Sequence, residues 1–155
     1  MALFDHETDP IKERDGVRIV FPQWEYVRLK LARAGGARLA LEVERATKPL
    51  RGEVGPIADA ARAKAVNAAF VRAVILEWDT LMKTMKTPPG GVTPDADGYV
   101  CRRIDMRDTL VDDTPENMIT VFETPGFDVF LEDVLAKARK ADNYLLHARK
   151  LEAGN

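Results

Sequence analysis

This 155-residue chain has one cysteine, two histidines and no uninterrupted apolar run of membrane length, and each shortage excludes a kind of chemistry. Cys101 has no second cysteine to pair with, so an internal disulfide and a multi-cysteine zinc site are both ruled out, which fits a reducing compartment. His6 sits in a polar opening segment and His147 on the polar side of the closing one, and neither belongs to a His-x-x-x-His or other metal-ligand spacing. The richest apolar stretch is cut by Arg62, Lys64, Asn67 and Arg72, well short of the roughly 18 residues a spanning helix needs. An excess of positive charge is missing too. The net charge is −2, and the Arg102–Arg103 pair alone gives no electrostatic case for nucleic acid. The first residues carry Asp5, Glu7 and Asp9 ahead of any apolar run, the reverse of a secretory signal, so a cytosolic protein is the expectation.

Nucleotide-binding loops are absent in the same way. Gly35 and Gly36 precede a helix and could offer N–H groups to a phosphate, but neither a Gly-Lys-Ser/Thr ending nor three spaced glycines follows. A strand-to-helix turn is the plainer reading. The carboxylates Asp105, Asp108, Asp112 and Asp113 lack the spacing and glycine of a calcium loop and read as solvated charge. No metal, cofactor or catalytic residue is assigned.

What is present is the composition of a folded domain, with 46% apolar and 31% charged residues. Residues 1–16 read as a polar, extended arm holding Pro10 and Gly16. Residues 17–21 form a strand stopped by Pro22, and 25–31 alternate, with Val27, Leu29 and Leu31 on one face. Residues 37–47 are helix formers ended by Pro49, and 57–78 form a long alanine-rich helix, apolar nearly all round from Ala65, at the centre of the fold. Two turn-rich clusters at 87–91 and 93–98 mark a long loop, and 99–104 makes a short strand. Thr114 caps a helix with Pro115 at its first position, and Pro125–Gly126 divides this helix from the last one. The expectation is an α+β fold, mainly α-helical, with a small N-terminal antiparallel β-sheet packed on a helical core. A single domain over 17–155 follows the arm, with a flexible loop at about 83–98.

The closing thirty residues carry a further pattern. Phe127, Leu131, Val134, Ala138, Ala141, Leu145 and Ala148 alternate steps of four and three, so a helix here presents one apolar stripe of roughly three heptads. Such a stripe serves either as a docking face or as this domain's own core. Met82 and Met85 beyond Trp78 have the same two readings, an adaptable partner surface or core closure. The candidate partner-binding residues are therefore Trp78, Met82, Met85, Phe127, Leu131, Val134 and Leu145.

Several motifs occur in a telling order: Leu-Ala-Arg-Ala-Gly-Gly-Ala at 31–37, Thr-Lys-Pro-Leu-Arg at 47–51, Val-Ile-Leu-Glu-Trp-Asp at 74–79, Thr-Pro-Glu-Asn at 114–117, Pro-Gly-Phe at 125–127, and a charged, alanine-rich segment with Asn143-Tyr144. In this order, over residues 26–155, the chain resembles the tail assembly chaperones of long-tailed bacteriophages and their prophage relatives. That resemblance implies a non-enzymatic protein of the host cytoplasm, binding the long helical tape-measure protein and keeping it soluble while the tail tube forms around it. It further implies, for many such phages, a frameshifted longer product that recruits the tail tube protein. A homo-oligomer is left open; nucleic acid and membrane are not expected as partners. The alternative is a structural tail-completion or connector protein retained in the virion.

Overall fold

The computed structural model describes residues 2–147, and the sheet at its centre is built from segments far apart in sequence. Strands β1 (Val17–Phe21), β2 (Val27–Leu31), β3 (Ile75–Leu81) and β4 (Tyr99–Val100) run antiparallel in that spatial order. Helices α1 (Pro10–Asp15), α2 (Ala37–Thr47) and α3 (Pro56–Val74) precede β3 in the chain. After β4 come a hairpin of β5 (Arg103–Met106) and β6 (Thr109–Asp112), then α4 (Pro115–Phe122) and α5 (Asp128–Arg139). The fold is α+β and mainly helical, with its antiparallel sheet packed on helices, as the sequence predicts.

Alternation in β2 decides which face is covered. Leu29 and Leu31 are fully buried, and with Phe21, Ile75 and Trp78 they meet Val71 and Val74 of α3, Met118, Val121 and Phe122 of α4, and Phe130, Leu131 and Val134 of α5. Each such side chain contributes about 1.5–3 kcal/mol on burial. The opposite face carries Arg28 and Lys30, paired with Asp79 and Glu77 of β3. Helix α2 joins the body chiefly through α3, and no residue of α2 is fully buried. Arg62 fixes the turn between the two helices by donating to the carbonyls of Leu50 and Glu53.

Four boundaries differ from the sequence reading. The helix expected over 57–78 ends at Val74, and the residues after it are strand β3. No glycine or proline marks this change. The β-branched Ile75 turns extended because β2 offers it hydrogen bonds, and Ala32 N–H donates to the Val74 carbonyl at 2.8 Å. Helix α5 stops at Arg139, not in the 140s, because Lys140 is extended. The amide of Asn143 donates to the Lys137 carbonyl, and the Tyr144 hydroxyl donates to the Leu31 carbonyl from a fully buried position. The stripe therefore leaves the helix after Ala138, and its last member, Ala148, lies outside the described residues.

The arm is no extended segment either. Asp9 accepts from the Ile11 N–H and, with Pro10 in the first turn, starts α1, a capping signal that the proline concealed. Gly16 then passes so close to Leu31 that a β-carbon there would lie 3.1 Å from its carbonyl oxygen and 2.9 Å from Leu76, at a φ of 89°. The second strand begins at Val27, two residues late, because Glu25 and Tyr26 form a left-handed turn with φ of 55° and 56°. Beyond the short β4, Arg102 turns the chain and residues 103–106 belong to the separate hairpin.

Candidate functional site

Where the sheet, the β5–β6 hairpin and the α4–α5 junction converge, they leave an open pocket of about 420 Å³. The turn Pro22–Trp24 supplies Trp24 and the Gly126 turn supplies Phe127, both half-buried, while α5 supplies Phe130 and β3 supplies Trp78. Trp24 stacks on Phe130 with ring centroids 4.7 Å apart and planes 11° from parallel, and it lies 6.0 Å from Phe127. Trp78 meets Phe130 edge-on at 5.9 Å. The Trp24 indole N–H donates to Asp133 at 2.9 Å, which fixes a tryptophan that would otherwise swing in a turn. The polar side of the lining holds Gln23, Thr80 and Thr84 together with the carboxylates of Glu25 and Asp105.

The sequence-predicted residues divide sharply. Trp78 and Phe127 line this pocket together. Leu131 and Val134 are core, at 4% and 0% exposure, so the heptad stripe packs against the chain's own sheet and helices. Leu145 is also buried and itself forms an antiparallel bridge with Thr8. Met85 is buried and Met82 half-buried where the chain leaves β3, with the Met82 N–H donating to the Gly98 carbonyl. These five therefore form no continuous surface with the pocket. The residues missed were Trp24, Phe130, Glu25 and Asp105. A tryptophan placed just after Pro22 at a strand end was the available signal for the first, whereas Phe130 was passed over because it flanks the strict four-three stripe.

Opposite the helices, Arg28 organises a second cluster. Its guanidinium donates to Asp79 at 2.8 Å and to Asp95 at 2.7 Å, and it lies 4.2 Å over the Tyr99 ring. Burial alone would lower the Arg28 pKa, but the hydrogen bonds to Asp95 and Asp79 outweigh it and hold the pKa above its ordinary value. Asp95 accepts from the N–H groups of Tyr99 and Asp97; these, with Arg28, hold its carboxyl well below the usual carboxylate range. Burial, then Asp79, pushes the nearby Cys101 thiol up, away from the thiolate a nucleophile needs. The cluster therefore clamps the return of the 83–98 loop onto the sheet.

A third feature is a slot of about 390 Å³ between α3 and α4, floored by Ala68, Val71 and Phe122. Ion pairs Lys64–Glu123 and Arg72–Glu116 frame its two helices, at 3.4 and 3.1 Å. Among the described residues, no group of three His, Cys, Asp or Glu side chains could hold a metal, and no helix is long and apolar enough to cross a membrane. Comparisons of the chain with protein-family models, with curated proteins and with solved structures find no match.

Proposed function

We propose that this chain is a tail assembly chaperone of the long-tailed phage type, working in the host cytoplasm by noncovalent binding of the tape-measure protein. The reading rests on the ordered motifs between residues 31 and 144, and the observation that carries it is the open aromatic pocket of Trp24, Trp78, Phe127 and Phe130. A long helical client exposes apolar stripes that aggregate unless covered, and a preformed concave surface with aromatic walls covers them with modest demands on sequence. The motifs also lie at joints of the fold. Ala34 N–H donates to the Ala138 carbonyl, Tyr144 reaches Leu31, and Trp78 sits at the base of the pocket. A client-binding role thus needs no bond made or broken.

Co-expression with the tape-measure protein tests the reading. The wild-type chain is expected to move that client into the soluble fraction, and W24A/F127A to do so less well while keeping its own circular dichroism spectrum. A client equally insoluble with and without the wild-type chain would remove the proposal. Mass spectrometry of purified virions separates it from a retained connector, which would be present in stoichiometric amounts.

A further inference from the structure

The charges around the aromatic pocket are one-sided. Glu25 and Asp105 line it; among the described residues no lysine, arginine or histidine does, and neither carboxylate takes part in an ion pair. Among the described residues the Asp105 carboxylate accepts only the Asp108 N–H, at 3.2 Å, within its own hairpin. The slot between α3 and α4 is the instructive contrast, because its cations and anions already neutralise each other. No cation among the described residues neutralises the pocket's carboxylates in that way.

Aromatic faces are the negative end of a ring quadrupole, and Trp24, stacked on Phe130 and set near Phe127, brings several of them to one cavity. An aliphatic guest would fill part of the volume and leave both carboxylates uncompensated. An anionic guest would be repelled. A side chain with a long apolar stem and a cationic head satisfies both parts at once, its stem against the rings and its head among the carboxylates. The volume, about 420 Å³, exceeds that of one side chain and admits part of the backbone turn that carries it. Directly after Trp24, Glu25 and Tyr26 adopt a left-handed conformation that non-glycine residues rarely take, which fixes the direction of this turn.

We propose that the pocket receives a lysine or arginine side chain of the client helix, held between the rings of Trp24 and Phe127 and the carboxylates of Glu25 and Asp105. The identity of the client rests on the chaperone reading; the preference for a cation rests on the pocket.

The test uses the purified full chain and two amphipathic helical peptides with identical apolar stripes, one with a central arginine and the other with neutral citrulline at that position. Both tryptophans of the chain line the pocket, so intrinsic fluorescence reports on it directly, with calorimetry as the second readout. The arginine peptide is expected to bind about tenfold more tightly than the citrulline peptide, and the difference to fall below about twofold in E25Q/D105N. Both substitutions sit on side chains without ion-pair partners among the described residues, and W24A supplies an independent variant that removes a wall. Equal affinity for the two peptides, a preference that survives in E25Q/D105N, or no binding of either peptide would overturn the proposal. If E25Q/D105N and wild type solubilise the tape-measure protein equally and bind both peptides alike, the cation assignment falls and the chaperone reading stands. If wild type fails to solubilise it, the chaperone reading falls, and the arginine preference is judged on the peptides alone.

Discussion

Four aromatic rings converge on Phe130. It touches Phe21, Trp24, Trp78 and Phe122, with centroid distances from 4.7 to 5.9 Å. Phe130→Ala is expected to cost about 3–5 kcal/mol in denaturant unfolding, because four neighbours lose a packing partner and the cavity cannot collapse. Asp113 joins two segments, its carboxylate lying 3.6 Å from the Arg102 guanidinium. Its carboxylate accepts the Trp78 N–H at 3.1 Å in a buried setting, standing in for a neighbouring strand, so Asp113→Ala should cost about 2 kcal/mol by leaving that donor unpaired. Burial pushes the Tyr144 hydroxyl up to about 12. Its contribution is therefore complete below the ordinary tyrosine value of about 10 and is lost as pH rises from there toward 12, whereas Tyr144→Phe should show a smaller alkaline decline in melting temperature. None of these roles is legible in the sequence, since each depends on at least one partner 35 or more positions away: on sequence alone Asp113 reads as solvated charge, and Tyr144 only as part of a motif.

At the scale of elements, strong local signals held and silent transitions did not. The alternation in β2, the Thr114 cap and the Pro49 stop all found their expected places, because each is written in adjacent residues. The passage from α3 to β3 was hidden by a run that is apolar in either conformation, and only pairing of Leu31 with Ile75 selects the strand. The end of α5 was hidden likewise, being set by Tyr144 and Asn143 reaching elsewhere. The long loop has its own lock in Asp95. With its carboxyl held low in the folded state, the lock is intact above the ordinary carboxylate value of about 4 and is lost as pH falls below it. Asp95→Asn should flatten that acid dependence and speed proteolytic cleavage within residues 86–94. Helix α2, lacking any fully buried residue, should exchange its amide hydrogens faster than β2 or β3, measurable by mass spectrometry.

For the whole molecule, one core joins three helices to one face of the sheet, while the polar face is closed by ion pairs and a loop. Fold class was accessible from the sequence because it follows from hydrophobic period and punctuation. The candidate site was accessible in two residues of its lining, Trp78 and Phe127, because a pocket depends on which elements meet, and that is settled by long-range packing. The far ends of the described chain also meet. Asp9 N–H donates to the Tyr144 carbonyl, Leu146 N–H donates to the Glu7 carbonyl, and Lys12 donates to the Leu145 carbonyl. This seam makes the described residues nearly a closed ring, so the order in which its parts are synthesised is separable from the shape they adopt. A circular permutant of residues 2–147, opened within 86–94 and joined across that seam by a glycine-serine linker, should regain the same far-ultraviolet spectrum and tryptophan emission as the parent.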